Sequence, residues 1–427
     1  MLPVVALALL PAFIAACGSG SDTASTATSS TAPKVPPRGN VDGTLALGQL
    51  APLTGSLASI SKSLTAPVKI AVDEVNAGGG VNGRPVTLTV ADDGGGENPT
   101  VASAAISSLL DAKKVDAIIG PTATGTALDL LNTIRTKRAL TCSGSNSAEE
   151  LSVANSGGYY FRTAPPDRLQ AIALARLLVA EGKRKPVIVA RKDAYGDAFV
   201  GPLERELRRL EAKPIGRVIR YNPAAKDLTW VGPQVANRHP DSVVTISLAE
   251  DGARIVNALA AAGVGPNQLP TYAPDGMQST TFHTRVNPAN PAAVLGIRGT
   301  APAAAPASPE TPFTAALRKA GVSPIFSAHY YDCTILTALA ALQAHSDDPT
   351  KMKQVFAKSL QGTTDCSTFS ACKQALAAGK TIHYRGASSA FDNWARHEPG
   401  QGTYDSWTYD GTGNVVTSAP GTQIHVP

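Results

Sequence analysis

Short apolar runs alternate with amphipathic stretches along the chain from residue 45 onward. The apolar runs predict buried strands just before Cys142 and at 45–50, 86–91 and 115–119. Apolar residues at helical spacing predict helices between these strands, at 66–76, 100–110 and 126–135. Because strand and helix alternate, we expect an α/β fold with a mostly parallel sheet and helices on both faces.

The same rhythm begins again in the second half of the chain. Further strands are predicted at 186–190, 215–221, 242–247 and 271–273. Further helices are predicted at 198–211, 228–237 and 252–262. Two successive α/β sheets, with no disordered linker between them, predict two lobes that face one another across a cleft. Ligand sites in such sheets lie at the carboxyl ends of the strands, so the cleft is where binding groups are expected.

The N-terminus is a continuous apolar run and does not show this alternation. Residues 1–16 are almost wholly apolar and meet Cys17, in a run too short to span a membrane and ending in IAAC, which resembles a bacterial lipobox. We therefore predict a lipoprotein signal peptide at 1–17, with Cys17 acylated. No Lys or Arg precedes the run, so either the true start lies upstream or the leader is unusual. The alternative is a chance Cys after an apolar leader.

Residues 18–43 are rich in Gly, Ser, Thr, Ala and Pro and offer almost nothing to bury. Such a composition cannot offset its conformational entropy, so this segment is predicted to be a disordered tether. An acyl anchor, a tether and a globular body together predict a protein held by lipid at the extracytoplasmic face of the cell membrane.

Charge and composition narrow the function classes. The formal net charge is +5 over 427 residues, and no basic block interrupts the chain. A nucleic-acid partner is therefore not expected. The seven histidines are scattered without a metal-binding pattern, no cysteine spacing suits zinc, and no G-x-S-x-G elbow follows a strand. We expect neither a metal, nor a cofactor, nor an enzyme activity.

The cysteines favour an oxidising compartment. Four cysteines follow Cys17, an even number. Cys366 and Cys372 are close enough in sequence to close a small disulfide loop. Cys142 and Cys333 would then pair across a longer span, with free buried thiols as the alternative.

Several motifs in order give the chain a family resemblance. They are APLTG at 51–55, AVDEVNAGGGVNGR at 71–84, IIGPTAT at 118–124, YFRT at 160–163, DAYG at 193–196, YYD at 330–332, AFD at 390–392 and YDSWTYD at 404–410. The chain resembles the type I periplasmic binding proteins of the leucine/isoleucine/valine type, which are substrate-binding components of ABC importers.

The resemblance implies two Rossmann-like lobes joined by a hinge of three chain crossings, with a ligand cleft between them. We place the crossings near Thr163, Gly299 and Glu398. Lobe 1 would then comprise 44–163 and 299–398, and lobe 2 would comprise 164–298 and 399–427.

The resemblance also implies ligand-binding residues. Thr124 matches a ligand-binding hydroxyl beside a helix N-terminus, and its alternative role is a helix cap. Ser145 and Ser147 occupy a ligand-contacting loop, or serve only as turn formers. Tyr195 matches a tyrosine that covers the ligand, or is a packing residue. Asp275 matches an acid that binds the ligand's ammonium group, or is a turn-forming Asp before Gly.

Two positions depart from the family pattern. Ile60 and Leu248 stand where amino-acid binders often have aromatic residues, so the sequence leaves the ligand open. The favoured function is a monomeric solute-binding lipoprotein that captures an amino-acid-like, amide or related small molecule by hinge closure and delivers it to an ABC permease. The alternatives are a ligand-sensing protein that uses the same lobes without transport, and a degenerate enzyme or surface protein with an unused cleft.

Overall fold

The computed structural model describes residues 41–96, 98–304, 310–419 and 421–427. The predicted signal peptide with Cys17, and the predicted tether up to residue 40, lie outside the described residues. The backbone N–H groups of Asp42 and Gly43 donate to Asp347 Oδ2 at 2.9 and 2.8 Å. The last two residues assigned to the tether are therefore held on the folded body.

The first lobe is built on a five-stranded parallel sheet in the order β2-β1-β3-β4-β5. Its strands are β1 (Ala46–Ala51), β2 (Thr87–Asp92), β3 (Ala117–Ile119), β4 (Leu140–Ser143) and β5 (Tyr160–Arg162). The connecting helices are α1 (Ser61–Ala77), α2 (Pro99–Ser107), α3 (Thr124–Thr136) and α4 (Glu150–Val153). Successive strand residues point to opposite faces, so Ile118 and Ile119 enter two separate apolar cores, one on each face.

The second lobe repeats this plan. Its parallel strands are β6 (Pro186–Arg191), β7 (Ile219–Tyr221), β8 (Ser242–Ile246), β9 (Thr271–Ala273) and β10 (Ile297–Pro302). Its helices are α5 (Asp167–Ala180), α6 (Ala194–Arg209), α7 (Val231–Ala236), α8 (Ala249–Ala261) and α9 (Phe282–Val286). Apolar cores again lie on both faces, as a doubly covered parallel sheet requires.

The chain then returns to the first lobe with α10 (Pro312–Ala320), α11 (Ser327–Ala344), α12 (Pro349–Val355) and α13 (Phe369–Ala377). Residues 327–341 of α11 are all buried, because this helix is apolar on nearly every side and lies inside the lobe. Two short strand pairs follow, β11 (Thr364–Cys366) with β12 (Ile382–Tyr384) and β13 (Trp394–Ala395) with β14 (Glu398–Pro399).

The C-terminal strands complete the second sheet. They are β15 (Gly402–Tyr409), β16 (Val415–Thr417) and β17 (Ile424–Val426). β15 lies antiparallel to β10, and both β16 and β17 pair with β15. The predicted α/β class with two Rossmann-like lobes is confirmed.

The second chain crossing lies a few residues beyond Gly299, the residue near which it was predicted. Gly299 pairs with Ala273 on one side and with Trp407 on the other, inside the second sheet. β10 belongs to that sheet through Pro302, so the chain leaves the second lobe after Pro302. Gly and Pro are uncommon within strands, which hid β10 from the sequence pattern. The chain leaves the first sheet after Arg162 and enters β15 just after β14.

Two disulfides cross-link the first lobe. Cys366 and Cys372 are joined, with Cα atoms 5.2 Å apart. Cys142, at the end of β4, is joined to Cys333 in α11, with Cα atoms 5.6 Å apart. The alternative of free buried thiols for the second pair is therefore wrong. Among the described residues, no helix combines the length and apolar character needed to span a bilayer.

Candidate functional site

A cavity of about 150 Å³ lies between the two lobes. Its first-lobe wall comes from the segments after β1 to β4 and from the start of α11, and its second-lobe wall from the segments after β6, β8 and β9. These are the carboxyl ends of parallel strands, where such folds place their ligands. All five residues predicted to bind ligand line this cavity: Thr124, Ser145, Ser147, Tyr195 and Asp275.

The N-terminus of α3 forms one end of the cavity. Ala123 occupies the position before the helix, and no side chain caps it. Thr124 is already the first helical residue, so it is not the N-cap, and its Oγ1 accepts a hydrogen bond from the Ser147 N–H at 3.4 Å. Thr124 and Gly125 both line the cavity. The N–H groups of this first turn, together with the helix dipole, suit a carboxylate or another anion.

Side-chain hydrogen bonds hold the loop after β4 in place. The Ser145 hydroxyl donates to the Thr122 carbonyl oxygen at 2.7 Å and lies 3.0 Å from Tyr330 Oη. The Asn146 Nδ2 donates to the same carbonyl at 2.7 Å, and its Oδ1 accepts from the Tyr160 hydroxyl at 2.8 Å. The loop therefore presents Ser145 to the cavity from a fixed backbone.

Tyr195 and Asp275 form the facing wall. Tyr195 lies in the first turn of α6, which Asp193 caps by accepting from the Gly196 N–H at 3.0 Å. Asp275 begins a short turn directly after β9. A Cβ atom at Gly276 would lie 3.3 Å from Tyr195 Oη, so the absence of a side chain there lets the tyrosine approach.

Each of these two side chains has a buried oxygen without a hydrogen-bond partner. Neither Tyr195 Oη nor Asp275 Oδ1 has a hydrogen-bond partner. Burial raises the pKa of Asp275 to about 6, while the nearby Gln170 amide opposes the rise. Burial also raises the pKa of Tyr195 well above its usual value, and the charges of Asp275 and Asp167 add to this. Buried polar groups are nearly always satisfied in folded proteins, so this wall is short of hydrogen-bond donors.

Asp167 is a second acid that the sequence analysis missed. It is the first residue of α5, soon after the chain leaves the first lobe, and it is fully buried with neither carboxylate oxygen partnered. Its N–H donates to the Ser147 carbonyl oxygen at 2.7 Å. Burial raises its pKa well above the usual value, and the negative charge of Asp275 is the next cause. An Asp at the start of a helix is ordinary, so nothing in the pattern signalled a buried acid pair.

Two more unpartnered oxygens belong to this acidic region. Tyr404 Oη and Gln278 Oε1 are buried without hydrogen bonds. Burial raises the pKa of Tyr404 well above its usual value, and the charges of Asp167 and Asp275 raise it further. We name Asp167, Asp275, Tyr195, Tyr404 and Gln278 the acidic cluster.

Asp275 faces no unpaired cation among the described residues that line the cavity. Among the described residues that line the cavity, Arg191 is the only basic side chain. Its Nε donates to Asp193 Oδ2 at 2.5 Å and its Nη1 to Asp251 Oδ1 at 3.1 Å, so its charge is already compensated. A buried carboxylate without a counter-charge is costly, and a cationic group that donates several hydrogen bonds would remove that cost.

Part of the remaining wall is apolar. Leu57, Ile60, Leu248, Ile325 and Phe326 line it. Ile60 and Leu248, the two positions that lack the aromatic residues common in amino-acid binders, therefore do face the cavity. Phe326 contributes an aromatic ring from the residue just before α11, which sequence reasoning did not single out.

Comparison with known proteins identifies the family. The sequence profile of the periplasmic binding protein family matches residues 44–400. The chain belongs to this family. It is 27% identical over 202 residues to the Leu/Ile/Val-binding protein BraC3 of Rhizobium johnstonii, an alignment that covers 47% of this chain and 53% of the relative. It is 28% identical over 166 residues to the Leu/Ile/Val-binding protein homolog 3 of Brucella melitensis, covering 38% of this chain and 44% of the relative.

A longer alignment involves a signalling protein. The chain is 26% identical over 375 residues to the chemotactic signal transduction system substrate-binding protein BasB of Halobacterium salinarum, which covers 83% of this chain and 84% of the relative. With BraC3 and the Brucella protein, by contrast, the chain aligns with only about half of the relative's length.

Solved structures share the fold. The leucine-binding protein LivK of Thermotoga maritima superposes with a TM-score of 0.73 at 17% identity, covering 90% of this chain and 99% of that one. LivJ of Streptococcus pneumoniae, in complex with isoleucine, gives 0.68 at 20% identity, covering 88% and 100%. A Rhodopseudomonas palustris solute-binding protein in complex with 4-hydroxybenzoate gives 0.69 at 14% identity, covering 89% and 97%. The predicted resemblance to type I periplasmic binding proteins is confirmed.

Proposed function

We propose that this periplasmic binding protein captures an amino-acid-like solute in the cavity between its lobes and delivers it to the permease of an ABC importer. The observation that carries the proposal is the meeting of Asp275 and Tyr195 from the second lobe with Thr124, Ser145 and Ser147 from the first lobe in a single cavity. A solute that touches both walls binds the closed arrangement better than the open one, and this difference drives hinge closure.

The chemical groups at the two ends of the cavity indicate which class of solute fits. At the acidic end, Asp275, Tyr195 and Gln278 have unpartnered oxygens, and the charge of Asp275 favours an ammonium group as the hydrogen-bond donor. The uncapped N-terminus of α3 suits a carboxylate. The apolar wall between them accommodates a hydrocarbon side chain. An α-amino acid carries all three features, whereas a benzoate-type acid leaves Asp275 without a donor.

Binding can be tested with the purified protein and a small panel of solutes. We expect L-leucine, L-isoleucine or L-alanine to raise the midpoint of thermal unfolding, and benzoate and 4-hydroxybenzoate to have no effect. The hit should bind by calorimetry and should lose binding in Asp275→Asn. Asp129→Asn, at an exposed position on α3, is the matched control and should bind normally. Binding of the benzoates with Asp275 dispensable would reject the ammonium assignment.

A second function has its own support. The long alignment with a chemotactic substrate-binding protein favours a sensor that uses the same lobes without transport. Loss of the gene in the producing cell separates the two. An importer component predicts loss of uptake of the radiolabelled solute, and a sensor predicts normal uptake with a lost behavioural or transcriptional response.

We further propose that Cys17 carries the lipid anchor and that the protein works as a monomer at the extracytoplasmic face of the membrane. The apolar run at 1–16 with the lipobox-like IAAC supports the anchor. Cys17→Ser should move the protein from the membrane fraction to the soluble fraction and abolish incorporation of labelled palmitate. Light scattering on the purified protein should give the monomer mass.

A further inference from the structure

The N-terminal half of α11 lies directly against the loop that carries Ser145 and Ser147. The disulfide between Cys142 and Cys333 ties the end of β4 to this helix across 191 residues of sequence. Gly144 lies between that cysteine and the binding loop, and a Cβ atom there would approach the Tyr330 N atom to 2.7 Å. The loop at Gly144 therefore packs directly against Tyr330, against both its ring and its backbone.

Tyr330 makes a directed contact with Ser145. Its side chain is fully buried, and its Oη lies 3.0 Å from Ser145 Oγ. The single proton of the Ser145 hydroxyl is donated to the Thr122 carbonyl oxygen at 2.7 Å. Because a hydroxyl has only one proton, Tyr330 is the donor and Ser145 the acceptor in the contact between them. Tyr330 thus fixes the orientation of the Ser145 hydroxyl.

The same turns of α11 hold the first chain crossing. The Thr163 hydroxyl donates to the His329 carbonyl oxygen at 2.7 Å, and its Oγ1 lies 3.4 Å from Cys333 Sγ. The helix segment that orients the binding loop therefore also holds the residue at which the chain leaves the first lobe. Displacement of this segment would disturb the loop and the hinge together.

We propose that Tyr330 and the Cys142–Cys333 disulfide are positioning groups for the solute-binding loop, so that solute affinity depends on the oxidation state of this disulfide. The proposal rests on the function proposed above. Neither group lines the cavity. Both act through residues 143–147, whose arrangement before binding removes an ordering cost that the solute would otherwise bear.

A double-mutant cycle tests the tyrosine. L-leucine affinity is measured by calorimetry for Tyr330→Phe, Ser145→Ala and the double variant. Tyr330→Phe should weaken binding about three- to tenfold, the range expected for one hydrogen bond. Since Tyr330 acts through Ser145, the double variant should be no weaker than Ser145→Ala alone. Tyr159→Phe, which removes a hydroxyl 3.0 Å from Thr350 Oγ1, is the control and should bind normally. Unchanged affinity in Tyr330→Phe, or additive losses, would overturn the proposal.

Hydrogen exchange tests the disulfide without any solute. In the Cys142→Ala/Cys333→Ala variant the backbone amides of 143–147 should exchange at least tenfold faster, while Cys366→Ala/Cys372→Ala should leave them unchanged. Tyr330→Phe should accelerate the same amides, which keeps the test valid if the disulfide variant does not fold. Equal exchange rates at 143–147 in the wild type and both test variants would refute the positioning role. Failure of every panel solute to bind would reject the proposed function alone, because the exchange rates decide the positioning role independently.

Discussion

Replacing Asp275 with Asn should stabilise the solute-free protein at neutral pH while abolishing solute binding. Asp275 is buried in the cavity wall, its Oδ1 has no partner, and burial raises its pKa from 3.8 to about 6. Asn keeps the shape of the side chain and removes the ionisable group. The substitution therefore isolates the cost of a buried negative charge.

The direction of this stability change follows from the pKa of Asp275 in the folded and in the unfolded state. The folded state holds the Asp275 proton more tightly than the unfolded state, because the folded pKa is the higher one. The stabilising contribution of the protonated carboxyl is fully present below pH 3.8, and it is lost as the pH rises through about 6. A pKa that moves from 3.8 to about 6 corresponds to about 3 kcal/mol of unfolding free energy.

The assay compares urea unfolding of the wild type and Asp275→Asn from pH 4 to pH 8 without solute. The other titrating groups are common to both proteins, so the difference between the two curves reports mainly Asp275. We expect the variant to gain about 1.4 kcal/mol per pH unit relative to the wild type up to about pH 6, and then to level off near about 3 kcal/mol. In the variant the pKa of Asp167 should also fall, because one of its neighbouring charges is gone.

Two results would refute this reasoning. A difference between the proteins that does not change with pH would mean that Asp275 is not destabilised as a charge in the free protein. A variant that is less stable than the wild type at pH 7.5 would mean that the carboxylate has a stabilising partner. Saturating amino acid should stabilise the wild type and leave the variant unchanged, which links the stability effect to the site.

Three further substitutions have predictable effects on urea unfolding. Gly144→Ala should destabilise the protein by about 3 kcal/mol, because the new Cβ would lie 2.7 Å from the Tyr330 N atom. An unchanged free energy of unfolding would mean that α11 and the loop separate easily. Glu398→Gln should lower the free energy of unfolding by about 3 kcal/mol or more, because it removes the charge that pairs with buried Arg162 at 2.6 Å. Unchanged stability would show that the ion pair is readily replaced. Arg168→Gln, at a partly exposed position that also contacts Glu398, should cost less than about 1 kcal/mol, and a larger loss would indicate coupling to the buried pair.

Much of the cavity could be predicted because the fold places it at strand ends. Thr124, Ser145, Tyr195 and Asp275 follow β3, β4, β6 and β9, and these parallel strands end on the side of their sheets that faces the cleft. Strands buried on both faces appear in sequence as short continuous apolar runs, which made them visible. The residues that directly follow each predicted strand are then candidates for ligand binding.

Other features depend on tertiary context. The sequence predicted a helix from residue 66, but α1 begins at Ser61, ahead of Pro67. Pro67 cannot donate to the Ser63 carbonyl oxygen, which instead accepts from the Ser327 hydroxyl at 2.8 Å. That compensation comes from α11, more than 260 positions away in sequence. Asp167 was missed for a similar reason, because its burial depends on elements from both lobes.

If the lobes close over the solute as proposed, Asp275 gives a reason why closure would require the correct solute. Asp275 Oδ1 is buried in the cavity wall without a hydrogen-bond partner, and Arg191, the only basic side chain among the described residues that line the cavity, is already paired with two other carboxylates. A closed form without solute therefore bears the cost of either protonating Asp275 or burying its charge. A solute with an ammonium group removes that cost, whereas a solute without one leaves it in place. Since a ligand shifts an equilibrium only by its differential affinity for the two states, we expect Asp275 to make the proposed closure selective for cationic amines.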